Sequence, residues 1–100
     1  MSDKIKSFGE TVRDLRVNKG LLLRQVAALL EVDTAFLSKM ERNEKRASRQ
    51  QVVKLSKALD VGQNELLTLW LSDKLLETLN EESESYNALK LTEKRIKRTK

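Results

Sequence analysis

The stretch VDTAFLSKMERNEKR, residues 32–46, decides how the rest of the chain is read. Asp33 can accept a backbone hydrogen bond and start a helix at Thr34. That helix runs to Glu41 or Arg42, and Leu37 and Met40, three positions apart, form its buried stripe with Phe36 at the edge. Lys39, Arg42, Lys45 and Arg46 crowd the remaining face and the run just after it. Such a segment is either an ordinary solvated helix face or a surface that meets something acidic. Its own residues do not choose between the two, so the neighbours must.

Charge is divided unevenly around it. Residues 1–37 carry six basic and five acidic groups, residues 38–64 seven and three, residues 65–93 two and seven, and residues 94–100 five and none, for a net charge of +5. Positive charge thus gathers on one central segment and on the end of the sequence, with a stretch between them that would repel a phosphate backbone. One surface is suited to binding polyanions and another to something else.

The whole composition favours helix. There is no Pro, there are three Gly, and 4% of residues are aromatic, against abundant Leu, Lys, Glu, Gln and Ala, which lose least on entering a helix. At 100 residues the chain suits one compact domain with an appendage. With no Cys and no His it lacks a thiolate nucleophile, an imidazole base and the usual soft-metal ligands, so neither metal nor cofactor is expected and an enzyme is disfavoured. The adjacent carboxylates Glu81 and Glu82 fall in a loop with no pocket implied. No apolar run reaches the ~18 residues that span a bilayer, and MSDKIKSFGE lacks a signal-peptide core, so no membrane role is expected and the chain reads as cytoplasmic.

Helix signals recur along the chain. Ser7 and Glu10 have the spacing of a capping box, followed by an apolar stripe of Phe8, Val12 and Leu15 and a stop at Gly20. A short helix spans residues 22–30, with Val26, Ala27 and Leu30 on one side. After the central stretch, Ser48 and Gln51 repeat the box and open a helix with Val52, Leu55 and Leu59 inward, ending near Asp60. Residues 62–80, GQNELLTLWLSDKLLETLN, carry more apolar surface than one inward stripe needs. Leu66, Leu67, Trp70 and Leu71 are therefore candidates for a dimer seam, although a Trp in a Leu-rich helix is ordinarily core. Beyond the acidic EESES, Tyr86, Leu89, Leu91 and Ile96 permit a sixth helix before KRIKRTK, a tail that is either a solubilising end or a basic arm. Residues 1–79 form one unit and 80–100 an extension, acidic then basic, partly helical or disordered.

The order LRVNKG-L, QVAALLEV, LSKMERNEKR, VVKLSKALDV, NELL resembles the Xre/Cro family of phage-repressor-like helix-turn-helix domains, over about residues 8–71. The resemblance implies an all-α, five-helix lambda-repressor-like fold that binds double-stranded DNA, normally as a homodimer on a two-fold operator with half-sites about 34 Å apart. It carries base contacts onto Thr34, Ala35, Ser38 and Lys39, of which Lys39 is suited to guanine. It carries phosphate contacts onto Arg24, Arg42, Asn43, Lys45, Arg46, Ser48 and Arg49. It also implies an ion pair between Arg16 and Glu41 that holds the recognition helix in register.

The chain departs from that family at defined places. Leu22 and Leu23 stand where a Ser or Thr cap and a DNA-touching Gln are usual, which removes a cap at a cost of about 1 kcal/mol. Readout then rests on the third helix, and Leu22 and Leu23 either complete the core or form an exposed partner site. Glu31 and Asn43 occupy usual Gly positions, and Ala47 a usual Pro. Glu31 in a left-handed conformation costs about 1–2 kcal/mol, unless the turn is built differently. The expected function is a sequence-specific transcriptional regulator, of the restriction-modification controller or phage-repressor type. The alternative is an antitoxin-type protein that holds a toxin through the acidic segment and regulates its own operon.

Overall fold

The computed structural model describes residues 5–99, so residues 1–4 and 100 of the two expected units lie outside the described residues. Within them the chain is all-α, six helices with no strand. Helix α1 spans Phe8–Asn18. Ser7 Oγ accepts from Glu10 N–H at 3.2 Å while the Glu10 carboxylate accepts from Ser7 N–H at 3.0 Å, the reciprocal box its spacing implies. The helix ends at Lys19, and Gly20 adopts φ +69°, a conformation open to glycine at no steric cost.

Helix α2, Leu23–Leu30, has no side-chain oxygen at its Leu22 cap. Half of a box survives, because Gln25 Oε1 accepts from Leu22 N–H at 2.8 Å. Leu22 is not core: it is 48% exposed, whereas Leu23 packs against the core. The turn after α2 keeps the left-handed form, with Glu31 at φ 59°, so the strain is borne and not avoided. Helix α3, Thr34–Glu41, is capped by Asp33, which accepts from Phe36 N–H at 2.7 Å. Helix α4, Arg49–Ala58, starts on the Ser48–Gln51 box. Helix α5, Gln63–Leu79, follows Gly62 without a side-chain cap.

The core lies where these five helices converge. Val12 of α1, Val26 and Leu30 of α2, Leu37 and Met40 of α3, Val52 and Leu55 of α4 and Leu66 of α5 are all buried. Helix α5 closes it: Leu66, Leu67 and Trp70 are only 2, 8 and 7% exposed, and the Trp70 indole N–H donates to Ala47 C=O at 2.9 Å. This corrects the expected seam, since three of its four residues are spent inside the chain's own core. Only Leu71, 52% exposed, remains on the surface. The number of apolar residues on α5 is a sound signal of a second contact, but it does not say which of them face outward.

Helix α6, Ser85–Arg98, buries none of its residues. It carries residues 94–98 of the basic tail in helical form.

Candidate nucleic-acid interface

Two short helices, α2 and α3, meet across residues 31–33, and α3 shows two unlike faces. Leu37 and Met40 pin it to the core, whereas Thr34, Ala35 and Lys39 are exposed and Ser38 is half-buried. Thr34 and Ala35 open the helix and Lys39 follows one turn on, so the exposed set forms one outward strip of the kind that reads a major groove.

The root of α3 is held against α1 by three separate contacts. The Arg16 guanidinium spans the Glu41 carboxylate, Nε to Oε2 at 2.7 Å and Nη2 to Oε1 at 3.1 Å, and its Nη1 donates to Leu21 C=O at 2.9 Å. The hydrogen bond to Glu41 raises the Arg16 pKa above its ordinary value, against a smaller opposing effect of burial. Glu41, 5% exposed, is thus a buried acid whose charge is answered inside the protein. Gly9 makes the second contact possible: a Cβ there would stand 2.5 Å from Met40 C=O and 2.7 Å from Glu41 C=O. The third is Asn43, left-handed at φ 64°, whose Oδ1 accepts from Gly9 N–H at 3.2 Å and whose Nδ2 donates to Ser7 Oγ at 2.8 Å.

The Asn43 geometry adds a structural role to the expected one. Its amide is tied through Oδ1 and one Nδ2–H to the start of α1, so it shapes the loop, while the side chain stays exposed with a second Nδ2–H. Contacts with residues 34 and 36 positions away are invisible to local sequence pattern.

The basic groups then sort by partner. Arg24, Lys39, Lys45 and Arg49 are exposed, and no ion pair among the described residues engages them. Arg42 holds Glu44 at 2.9 Å and donates to Ser38 Oγ at 2.6 Å. The hydrogen bond between Arg42 and Glu44 raises the Arg42 pKa and lowers that of Glu44, with Lys39 adding a smaller attraction. Arg46 pairs with Glu77 of α5. Ser48 is occupied as the cap of α4, whose start, with Arg49, is a donor-rich helix end beside the loop. Both paired arginines are about half exposed and keep N–H donors that these contacts do not use, and Ser38, an acceptor from Arg42, keeps its own O–H to donate, so pairing does not withdraw them from a ligand.

Among the described residues no group of His, Cys, Asp and Glu is placed to hold a metal ion, and no helix is long and apolar enough to cross a membrane.

Five helices around one core, with an outward-facing second helix of a tight helical pair and a basic loop behind it, define a helix-turn-helix DNA-binding unit. The family model described as "Helix-turn-helix domain" matches residues 7–69, and the chain belongs to that family, with the Xre-type DNA-binding transcription regulators. No curated protein shows a significant match to it. Among solved structures it is similar to the restriction-modification controller protein C.AhdI from Aeromonas hydrophila, at 36% identity and TM-score 0.55 over 59% of this chain and 89% of that one. It is similar too to the clp gene regulator ClgR from Corynebacterium glutamicum, at 27% identity and TM-score 0.58 over 75% of this chain and 80% of that one. A third likeness, 25% identical with TM-score 0.54, covers 93% of this chain and 99% of a chain in the SinR protein/SinI protein complex. Its family acts by binding and not by catalysis.

Proposed function

We propose that this chain is a sequence-specific transcriptional regulator that binds a two-fold symmetric operator as a homodimer, a compact regulator of the restriction-modification controller or phage-repressor type. The observation that carries the reading is the two-faced α3: Thr34, Ala35 and Lys39 project outward from a helix whose opposite face and C-terminal end are locked to the core.

In this role Lys39 donates to guanine O6 and N7, and the Thr34 and Ala35 methyls pack on thymine. Ser38 pairs with a base edge through its own O–H. Arg42, Lys45, Arg46, Ser48 and Arg49 then meet phosphates on one side of the groove and Arg24, near the start of α2, on the other. Asn43 shapes the loop through its contacts with α1 and can still turn its second Nδ2–H toward a phosphate. Leu22 and Leu23 offer no polar atom to DNA, so sequence choice rests on α3.

Selection of bound sequences from a random DNA pool tests this: recovery of a two-fold motif with half-sites spaced by about one helical turn is expected. Lys39→Ala should lower specific affinity by about 1–3 kcal/mol and leave affinity for random DNA nearly unchanged. An equal fall in both would remove Lys39 from base readout, and a pool with no enriched motif would defeat the proposal.

A further inference from the structure

The family match ends at residue 69, and the chain beyond it presents an apolar surface with no cover. Leu71, Leu75 and Leu76 on the far half of α5, and Tyr86, Leu89 and Ile96 on α6, are all exposed. Residues 86, 89 and 96 lie on one face of α6, and with Leu75 across from them they line an apolar groove of about 520 Å³. A soluble monomer rarely leaves such a strip open.

Charge says what fits there. The approach to α6 is acidic, with Glu81, Glu82 and Glu84, and its last turns are basic, with Lys94, Arg95, Lys97 and Arg98. Laid against itself in reverse, the helix meets its own complement at both ends, and the two helix dipoles run opposite ways. A two-fold axis level with Leu91 sets Tyr86 against the partner's Ile96 and Glu84 against the partner's Arg98, the self-complementary contact a symmetric dimer needs. Laid parallel, acid would face acid and base would face base.

We propose that the groove between α5 and α6 receives α6 of a second copy of this chain, antiparallel to the first, with the basic end of each α6 on the acidic approach of the other. This rests on the dimeric part of the function proposed above and moves the seam from the buried Leu66, Leu67 and Trp70 to residues 71–98. The match of 93% of this chain to a chain from a protein–protein complex is in keeping with a partner-binding use of this region.

Sedimentation equilibrium of the full chain tests it. The unaltered protein should be a dimer at micromolar concentration. Leu89→Glu with Ile96→Glu should weaken association by about 100-fold, because charge would enter an apolar groove. Since α6 contributes nothing buried, circular dichroism should show α1–α5 folded as before. Two charge reversals give the sharper result: Glu81→Lys, Glu82→Lys and Glu84→Lys in one variant, and Lys94→Glu, Arg95→Glu and Arg98→Glu in another. Each alone should associate more weakly than the unaltered chain, and an equimolar mixture should recover a mixed dimer. A monomeric unaltered chain, a variant set as tightly dimeric as the original, or no recovery on mixing would overturn the proposal, and a groove filled instead by a different protein would show as the first of these. A non-dimerising α6 variant should still footprint one half-site, and loss of that footprint would count against the DNA reading, not against the seam.

Discussion

Removing the Glu41 carboxylate is the most direct test of how the recognition helix is held. In Glu41→Ala the Arg16 guanidinium loses two charge-assisted hydrogen bonds, at 2.7 and 3.1 Å, and keeps one to Leu21 C=O at 2.9 Å. Such bonds contribute about 1.5–3 kcal/mol each, and breaking a buried pair costs about 3–5 kcal/mol, mostly for the lone charge left behind. The Arg16 side chain retains 11% of its exposure, against 4% for Glu41, so water can partly rehydrate it. The expected loss is therefore about 3 kcal/mol for Glu41→Ala. It is larger, about 4 kcal/mol, for Arg16→Ala, which strands the more buried partner. Against a total stability of about 5–15 kcal/mol either change should be plain in urea unfolding followed by circular dichroism. The double variant Arg16→Leu/Glu41→Leu leaves no charge behind and should lie within about 2 kcal/mol of the original. Single losses below about 1 kcal/mol, or a double variant that costs the sum of the singles, would refute the reasoning.

Three further outcomes rest on particular contacts. Gly9→Ala should destabilise by about 1–2 kcal/mol in thermal unfolding: the roughly 1 kcal/mol gained in helix propensity is outweighed by forcing a methyl against Met40 C=O and Asn43 Oδ1, each 2.5 Å away. Glu31→Gly and Asn43→Gly remove side chains from the same left-handed backbone with opposite results. The first should stabilise by about 0.5–1 kcal/mol, since strain relief exceeds the loss of an exposed pair with Lys54. The second should destabilise by about 1 kcal/mol, because two hydrogen bonds to the start of α1 vanish; a common sign for both would show that backbone strain alone rules these positions. Finally, Glu44 should titrate below the ordinary glutamate range in an NMR pH series, and Arg42→Gln should return it toward that range. Because its folded-state value is depressed, any stability it adds is present above the unfolded-state pKa and is lost as pH falls through the folded one.

Local signals are legible because the physics behind them is local. The boxes at Ser7–Glu10 and Ser48–Gln51, the Asp33 cap and the stop at Gly20 each depend on residues within one turn, and each stands where its spacing places it. Contacts between elements are harder to read. The Arg16–Glu41 pair is foreseeable only through a family resemblance, since 25 residues separate the partners. The Asn43 clamp and the Arg46–Glu77 pair escape sequence reading for the same reason: nothing in ERNEKR reveals which of its polar groups another helix will claim. On α5 periodicity counts the leucines correctly, yet Trp70 turns inward because Ala47 C=O, an acceptor from a distant loop, meets its N–H.

The clamp at the end of α3 has a mechanical consequence. Held at its C-terminal end by Gly9, Asn43 and Arg16 and seated on the core through Leu37 and Met40, this helix of eight residues is a lever about 12 Å long whose N-terminal end carries the exposed Thr34 and Ala35. A tilt of about 5° at the root would carry the tip about 1 Å, enough to spoil a hydrogen bond. In the proposed DNA-binding role, the aim of α3 at a base edge is thus set in part by Arg16, Glu41 and Gly9 at the far end of the lever, and a stiff root also spares the complex the entropy of aligning the helix on arrival.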